Sequence, residues 1–366
     1  MAKTSKYLQV IEWVKNRIET GELSAGDKLE SENELSTMFH ISRQTARHGL
    51  DILVEEGLLE RVQGSGTYVR DKSADSEEKS AELSKTVTII STYVDGYIFP
   101  RILKSMVRAL ETYGYGARIM FTNNHVETER SLLIRLLEER SRDPLLVETV
   151  MSGLPNPNLK YYRRLRSRGI PILFFHSFYP ELDMPHISMN DEQAGRIATE
   201  YLIAHGHKKI AGIFKSDDGQ GQRRYMGFVK ALLHADLPIP ERNICWVDTQ
   251  DMKKFERIYQ KLSERLSGCT ACVCYNDEVA HELTEYVLAK GIQVPEQMSI
   301  ISIDNSELAR LNAVPLTSVK NPMEALGAKA VESLMKLIEQ PESEVSYEFP
   351  VELEERCSVA EPADNL

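Results

Sequence analysis

Arg43, Gln44, Thr45 and Arg47 stand directly behind Ser42. A serine at such a position caps a helix, so these side chains fall near that helix's N-terminal end. Arginine matches O6 and N7 of guanine, and glutamine matches N6 and N7 of adenine. The set has the chemistry to read base edges. A second group is spread along the chain. Tyr93 and Asp95, Asn123 and Asn124, Glu148, His176, Lys215 to Asp218, Asn276 and Asp277, and Asp304 and Asn305 each follow a short β-branched or apolar run. Carboxylates accept from hydroxyls, Lys and Arg donate to them, and an aromatic face covers the C–H side of a sugar ring. This second group suits a ligand rich in hydroxyls.

The elements that must position the first group lie within residues 1–70. Tyr7, Val10, Ile11, Val14 and Ile18 recur at helical spacing and form one apolar stripe. Gly21 ends that helix. Ser31 and Glu34 have the spacing of a capping box at the start of a second helix, with Leu35, Met38 and Phe39 as its predicted buried side. His40 and Ile41 make a turn, and Ser42 opens the third helix. Gly49, Leu50, Leu53 and Val54 can face the core, which leaves the polar set mostly on the other side. Two strands are predicted at 58–63 and 67–70 around Gly64-Ser65-Gly66, where glycine permits positive φ. Any three-helix unit can carry a charged, merely solvated face. The full order of helix, capped helix, polar third helix and glycine-tipped hairpin points instead to a winged helix-turn-helix (α+β).

Residues 71–85 are charged, serine-rich and poor in large apolar groups, the composition of a linker. From Thr86 to residue 366 the pattern changes. Strands are predicted at 86–93, 117–121, 145–148 and 172–175, with helices at 102–113, 127–139 and 159–168 between them. Further strands at 210–214, 244–247, 271–275 and 299–303 repeat the scheme. Such alternation predicts parallel sheets covered by helices, and the length of the segment predicts two lobes. In open parallel sheets ligands bind beyond the carboxyl ends of the strands, which is where the second polar group falls. Asn and Asp after strands also cap helices, and Asp277 fits either role.

The chain has 366 residues and a net charge of −11, which argues against binding nucleic acid through bulk charge. Residues 1–70 hold nine Lys or Arg and eleven Asp or Glu, a balance of 9 − 11 = −2. DNA binding would therefore rest on a local basic face. No apolar run is long enough for a bilayer span, and the N-terminus lacks the pattern of a signal peptide, so a cytoplasmic protein is expected. The five cysteines, Cys245, Cys269, Cys272, Cys274 and Cys357, are an odd number and argue against a disulfide framework. Their spacing is not a paired C-x-x-C, so no metal is expected and they read as small hydrophobes. No Walker motif, dinucleotide fingerprint, H-E-x-x-H or G-x-S-x-G is present. No enzyme and no cofactor is expected.

Ser31-Glu32-Asn33-Glu34-Leu35, Ser42 to Arg47, Glu56-Gly57-Leu58-Leu59 and Gly64 to Val69 together resemble the DNA-binding domain of the GntR family. The resemblance implies that Arg43, Thr45, Arg47, Gln63 and Gly66 meet DNA; Gln44 joins them on the chemistry above. His205-Gly206-His207 before Ile210, Cys274 to Ala280, Val294-Pro295, Ser299-Ile300 before Asp304, and Leu316 to Val319 resemble the effector domain of LacI/GalR-type regulators. That domain is similar in fold to periplasmic sugar-binding proteins, so an α/β two-lobe body is implied. Arg224, Asn276 and Asp304 fall at that family's sugar-contacting positions. Tyr93, Glu148, His176 and Lys215 are added by strand-end position and local match. More narrowly, Tyr97-Ile98-Phe99-Pro100, Thr122-Asn123-Asn124, Asp217-Asp218 and Gln220-Gly221 are similar to the arabinose-operon repressor family, which joins these two modules.

The combined expectation is a transcriptional repressor, a homodimer on near-palindromic operator DNA, released by L-arabinose. Another pentose or a galactose-like sugar is the near alternative. A sugar-binding receptor is a rival from a different class, countered by the N-terminal module. A sugar-modifying enzyme is a third, for which no catalytic spacing exists.

Overall fold

The computed structural model describes residues 6–24, 26–62, 66–70, 82–239 and 241–363. Gln63, the turn residues Gly64 and Ser65, and residues 71–81 of the predicted linker lie outside the described residues. Among the described residues no helix is long and apolar enough to cross a membrane.

The N-terminal unit is built from α1 (Lys6–Glu19), α2 (Glu32–Met38), α3 (Arg43–Glu55), β1 (Leu59–Val62) and β2 (Gly66–Val69). Val10, Ile11 and Val14 from α1, Leu35 from α2, and Ala46, Leu50 and Leu53 from α3 form its buried core. Met38, expected inside, is 49% exposed. The helix ends at that residue, and Phe39 beyond it packs edge-on to Trp13 at 5.5 Å instead. Ser31 and Glu34 form the capping box in both directions, at 2.7 and 3.3 Å. β1 and β2 pair antiparallel from Leu59–Val69 to Val62–Gly66. Leu29 N–H donates to Thr67 O at 2.8 Å, tying the α1–α2 connection to the hairpin.

The second unit is a two-lobed body with a six-stranded sheet in each lobe. β3 (Thr86–Ser91), β4 (Gly116–Phe121), β5 (Leu145–Val147), β6 (Ile172–Phe175) and β7 (His186–Met189) form the first sheet with β13 (Tyr347–Phe349). Its order is β13-β7-β6-β5-β3-β4, parallel throughout. β8 (Ile210–Lys215), β9 (Ile244–Val247), β10 (Ala271–Cys274), β11 (Ser299–Asp304) and β12 (Thr317–Lys320) form the second with β14 (Leu353–Glu354). The order is β14-β12-β11-β10-β8-β9, and only β14 runs antiparallel. The chain passes between lobes after β7, after β12 and between β13 and β14.

Strand alternation sets the second lobe's two cores. Ala271 and Val273 face the layer of helices Asp191–Ala204 and Gly219–His234, with Ala198, Phe228 and Ile301. Cys272 and Cys274 point the other way, to Cys245, Leu262, Val279 and Leu283. In the first lobe, helices Phe99–Thr112 and Met323–Glu339 cover one sheet face with Ile102, Met106, Leu326 and Leu334.

Candidate functional site

The candidate DNA surface starts at the Ser42 cap. Ser42 Oγ accepts from Thr45 N–H at 3.0 Å and lies 2.8 Å from Thr45 Oγ1. Arg43, Gln44, Thr45 and Arg47 line one concave face of this unit together with Glu32. Glu32 gathers three arginines: Arg43 Nε at 3.0 Å, Arg47 Nε at 3.6 Å and Arg61 Nη2 at 3.5 Å. The Arg43 and Arg47 side chains remain 67% and 60% exposed. Exposed pairs of this kind are worth about 0–1 kcal/mol, so phosphate or base edges can compete for both guanidiniums. Arg61, held also by Asp51 at 2.7 Å, is a neighbour that sequence reasoning did not select. Gly66 sits in the hairpin with φ +138°, and a Cβ there would come within 2.8 Å of Lys28 Cε.

The second site is the cleft between the lobes of the body. Tyr93, Glu148, His176, Lys215, Arg224, Asn276 and Asp304 all line it. Tyr97, Phe99, Asp218, Gln220, Tyr275 and Glu278 join them. The loops at the strand ends hold unusual backbone. Tyr97, Asn123, Asn124, Met151, His176, Asp304 and Asn305 all have positive φ, from +44° to +107°. Asn, Asp and His are the non-glycine side chains that tolerate this region best, and five of the seven are of these types.

Arg224 is the floor. It lies in helix Gly219–His234 and is 1% exposed. Nε donates to Asp191 Oδ1 at 2.8 Å, Nη1 to Tyr275 O at 2.6 Å and Nη2 to Asp304 Oδ1 at 3.2 Å. Burial works against its charge, but Asp304 and Asp191 outweigh burial and raise its pKa. Glycines bring it there. A Cβ on Gly195 would collide with the backbone carbonyl of Arg224, and one on Gly227 with that of Glu192, so the two helices of this layer touch backbone to backbone. Asp304 is shared between lobes. Its Oδ2 accepts from Tyr97 OH at 2.6 Å, and the same phenol oxygen accepts from Asp277 N–H at 3.2 Å.

Glu148 turns both carboxylate oxygens inward. Oε2 accepts from Ser91 Oγ, Thr92 N–H and Thr92 Oγ1 at 3.0, 2.8 and 2.6 Å. Oε1 lies 2.9 Å from His176 Nδ1, and Gln220 Nε2 is 3.1 Å from His176 Nε2. Burial lowers the His176 pKa, but the bond to Glu148 and its charge overcome this, and the net shift is upward. His176 and Glu148 thus line the cleft as a hydrogen-bonded pair. Lys215 Nζ meets Asp218 Oδ2 at 2.6 Å, and Tyr275 OH donates to the same oxygen at 3.1 Å. Burial opposes the Lys215 charge, while Asp218 and Asp217 raise its pKa on balance.

Asn276 caps helix Asp277–Ala289: its side-chain oxygen accepts from Val279 N–H at 3.0 Å, and its Nδ2 donates to Glu278 Oε2 at 3.2 Å. Asp277, which on sequence fits either a helix cap or a ligand contact, is not the cap, since Asn276 holds that place. It accepts from Ser318 Oγ at 2.7 Å and Ser306 N–H at 2.6 Å, and burial followed by repulsion from Asp304 pushes its pKa up to about 6. Among the described residues no group of three His, Cys, Asp or Glu could hold a metal ion.

Residues 6–69 match the gntR family of bacterial regulatory proteins, and residues 199–359 match the periplasmic binding protein-like domain. An arabinose metabolism transcriptional repressor of Halalkalibacterium halodurans is 35% identical over 338 residues, covering 92% of this chain and 90% of the relative. A repressor of the same name from Geobacillus stearothermophilus is 35% identical, covering 92% of each. The chain belongs to this family of repressors. They are transcriptional regulators and not enzymes, and regulators of this type bind operator DNA and sugar effectors. Among solved structures, a complex of the transcriptional regulator CelR with cellobiose superposes with a TM-score of 0.71 at 20% identity, covering 87% of this chain and 91% of that one. At that identity it speaks for the fold alone.

Proposed function

We propose that this repressor binds L-arabinose in the cleft of its body and operator DNA through α3 and the hairpin, as a homodimer in the cytoplasm. Tyr93, His176, Lys215, Arg224, Asn276 and Asp304 form the sugar site, with Glu148 orienting His176. Arg43, Gln44, Thr45, Arg47 and Gly66 meet DNA, and Gln63 is assigned with them on sequence. A pair of heads would match the two-fold symmetry of a near-palindromic operator.

The observation that carries the sugar reading is the buried Arg224 shared by Asp191 and Asp304, walled by Tyr93, Phe99 and Tyr275. Charged donors and acceptors beside aromatic faces suit a small polyol ring. Sugar that favours one arrangement of the lobes shifts operator affinity by a coupling of about 1–3 kcal/mol, and DNA must weaken sugar binding by the same factor. Calorimetric titration with L-arabinose, D-xylose, D-ribose and D-galactose tests the effector. Saturable binding of L-arabinose alone is expected. Tighter binding of one of the others replaces the effector, and no binding of any defeats the sugar reading.

A further inference from the structure

The cleft has a back and a front. The chain crosses between lobes beside β7, β12 and β13, at corresponding edges of the two sheets. β4 and β9 form the opposite edges. Four inter-strand steps of about 4.8 Å put β4 about 19 Å from β7. A hinge rotation of about 10° at the crossings parts the front by about 3 Å, enough to break a hydrogen bond, while groups beside the hinge hardly move.

One side chain spans the front edge. Asn124 follows β4, is 2% exposed and has φ +55°. Its Nδ2 donates to Oγ1 of Thr249, the residue that starts the helix after β9, at 2.8 Å. Its Oδ1 accepts from Met151 N–H at 2.9 Å. Thr249 is fixed in turn, its N–H donating to Asp217 Oδ2 at 2.9 Å. Both ends of the amide are committed, and each partner is buried or anchored on its own lobe.

We infer that Asn124 is a positioning residue, a clasp at the mouth of the cleft whose bond to Thr249 holds the lobes together over a bound sugar and sets how long the sugar stays. The inference rests on reading the cleft as the effector site. Its place farthest from the crossings gives this one bond more leverage against opening than any contact near the hinge.

Stopped-flow binding of L-arabinose to the full chain tests it with Asn124→Ala, Thr249→Val and the double variant. Each single change should speed dissociation about tenfold, since it removes the bond between the lobes and strands a partner; Asn124→Ala also frees Met151 N–H, but within its own lobe. The double variant should also dissociate about tenfold faster, because both changes remove the same bond. Melting temperatures near that of the parent would separate a clasp from a general loss of fold. Unchanged dissociation in Asn124→Ala, or single effects that multiply to about a hundredfold, would overturn the inference. If the parent chain does not bind L-arabinose, the effector reading fails and the clasp is read in sugar-free protein. Fluorophores on the two lobes should then stand farther apart in Asn124→Ala, and an unchanged distance defeats the clasp.

Discussion

Nδ1 of His176 lies 2.9 Å from Oε1 of Glu148, and both side chains are more than nine-tenths buried. The pairing raises the histidine's pKa against the pull of burial. A group with a raised folded-state pKa contributes stability in full below its unfolded value, near 6.5, and loses it as pH rises through the folded value. The parent chain should therefore lose a stabilising contribution above about pH 6.5 that His176→Asn lacks. Denaturation from pH 5.5 to 8.5 on both proteins checks this. Glu148→Gln should lower the imidazole's pKa by NMR titration, and a parent imidazole that titrates below about 6.5 would contradict the pairing.

Removing the cation from the floor of the cleft leaves Asp191 and Asp304 buried together. Arg224→Ala should cost about 3–5 kcal/mol of stability, the range for breaking a buried ion pair, and abolish sugar binding. Chemical denaturation and calorimetry measure the two effects. Arg224→Lys keeps the charge without the fork, so it should recover part of the stability but little sugar affinity. Full stability in Arg224→Ala would mean that the two carboxylates do not depend on the guanidinium.

Gly195 lets the helix carrying Arg224 press backbone to backbone on its neighbour. Gly195→Ala should push the two helices apart, destabilise the body by about 1–3 kcal/mol as overpacking does, and weaken sugar binding without touching the sugar. A melting curve with and without L-arabinose reads both. A variant with unaltered stability and affinity would show that the contact is soft.

The two functions should separate by mutation. Arg43→Ala or Arg47→Ala should abolish specific operator binding, and loss of a phosphate contact should lower the salt slope of DNA binding by about one. Sugar affinity in the same proteins should stay at the parent value. Fluorescence anisotropy across a salt series, beside calorimetry, decides the matter; a parallel loss of sugar affinity would argue against independent modules.

Much of this was legible because it is local. β3 to β6, β8, β10 and β11 are β-branched or apolar runs bounded by polar or turn residues, and the residues at their C-terminal ends include Tyr93, Glu148, His176, Lys215, Asn276 and Asp304 of the cleft. Ser31–Glu34 and Ser42 announced their helices by spacing alone. What stayed hidden depends on partners distant in sequence. β13 is a three-residue strand defined by its pairing with β7, and β14 is two residues long. Asp191 follows β7, which has no strand signal of its own, and Glu278 lies inside a helix; Thr249 does follow the predicted strand 244–247, but a lone threonine there carries no mark of a cleft residue. Position alone puts Glu148 in the cleft, where it lies; its donors from Ser91 and Thr92 and its contact with His176 emerge only once β3, β5 and β6 lie side by side.

Helix Met323–Glu339 and β13 return to the first lobe after the second has been laid down, and β14 then goes back to the second. Neither lobe is a continuous stretch of chain. During synthesis the residues of the N-terminal unit through Val69 leave the ribosome long before either sheet has its full set of strands. The outer strand of the first sheet arrives only with Tyr347–Phe349. A message cut short before that point would encode every residue of α1, α2, α3 and the hairpin but an unfinished sensor. Such a product would keep the residues proposed to meet DNA while its sugar cleft stayed incomplete, so synthesis through Phe349 bears on inducibility.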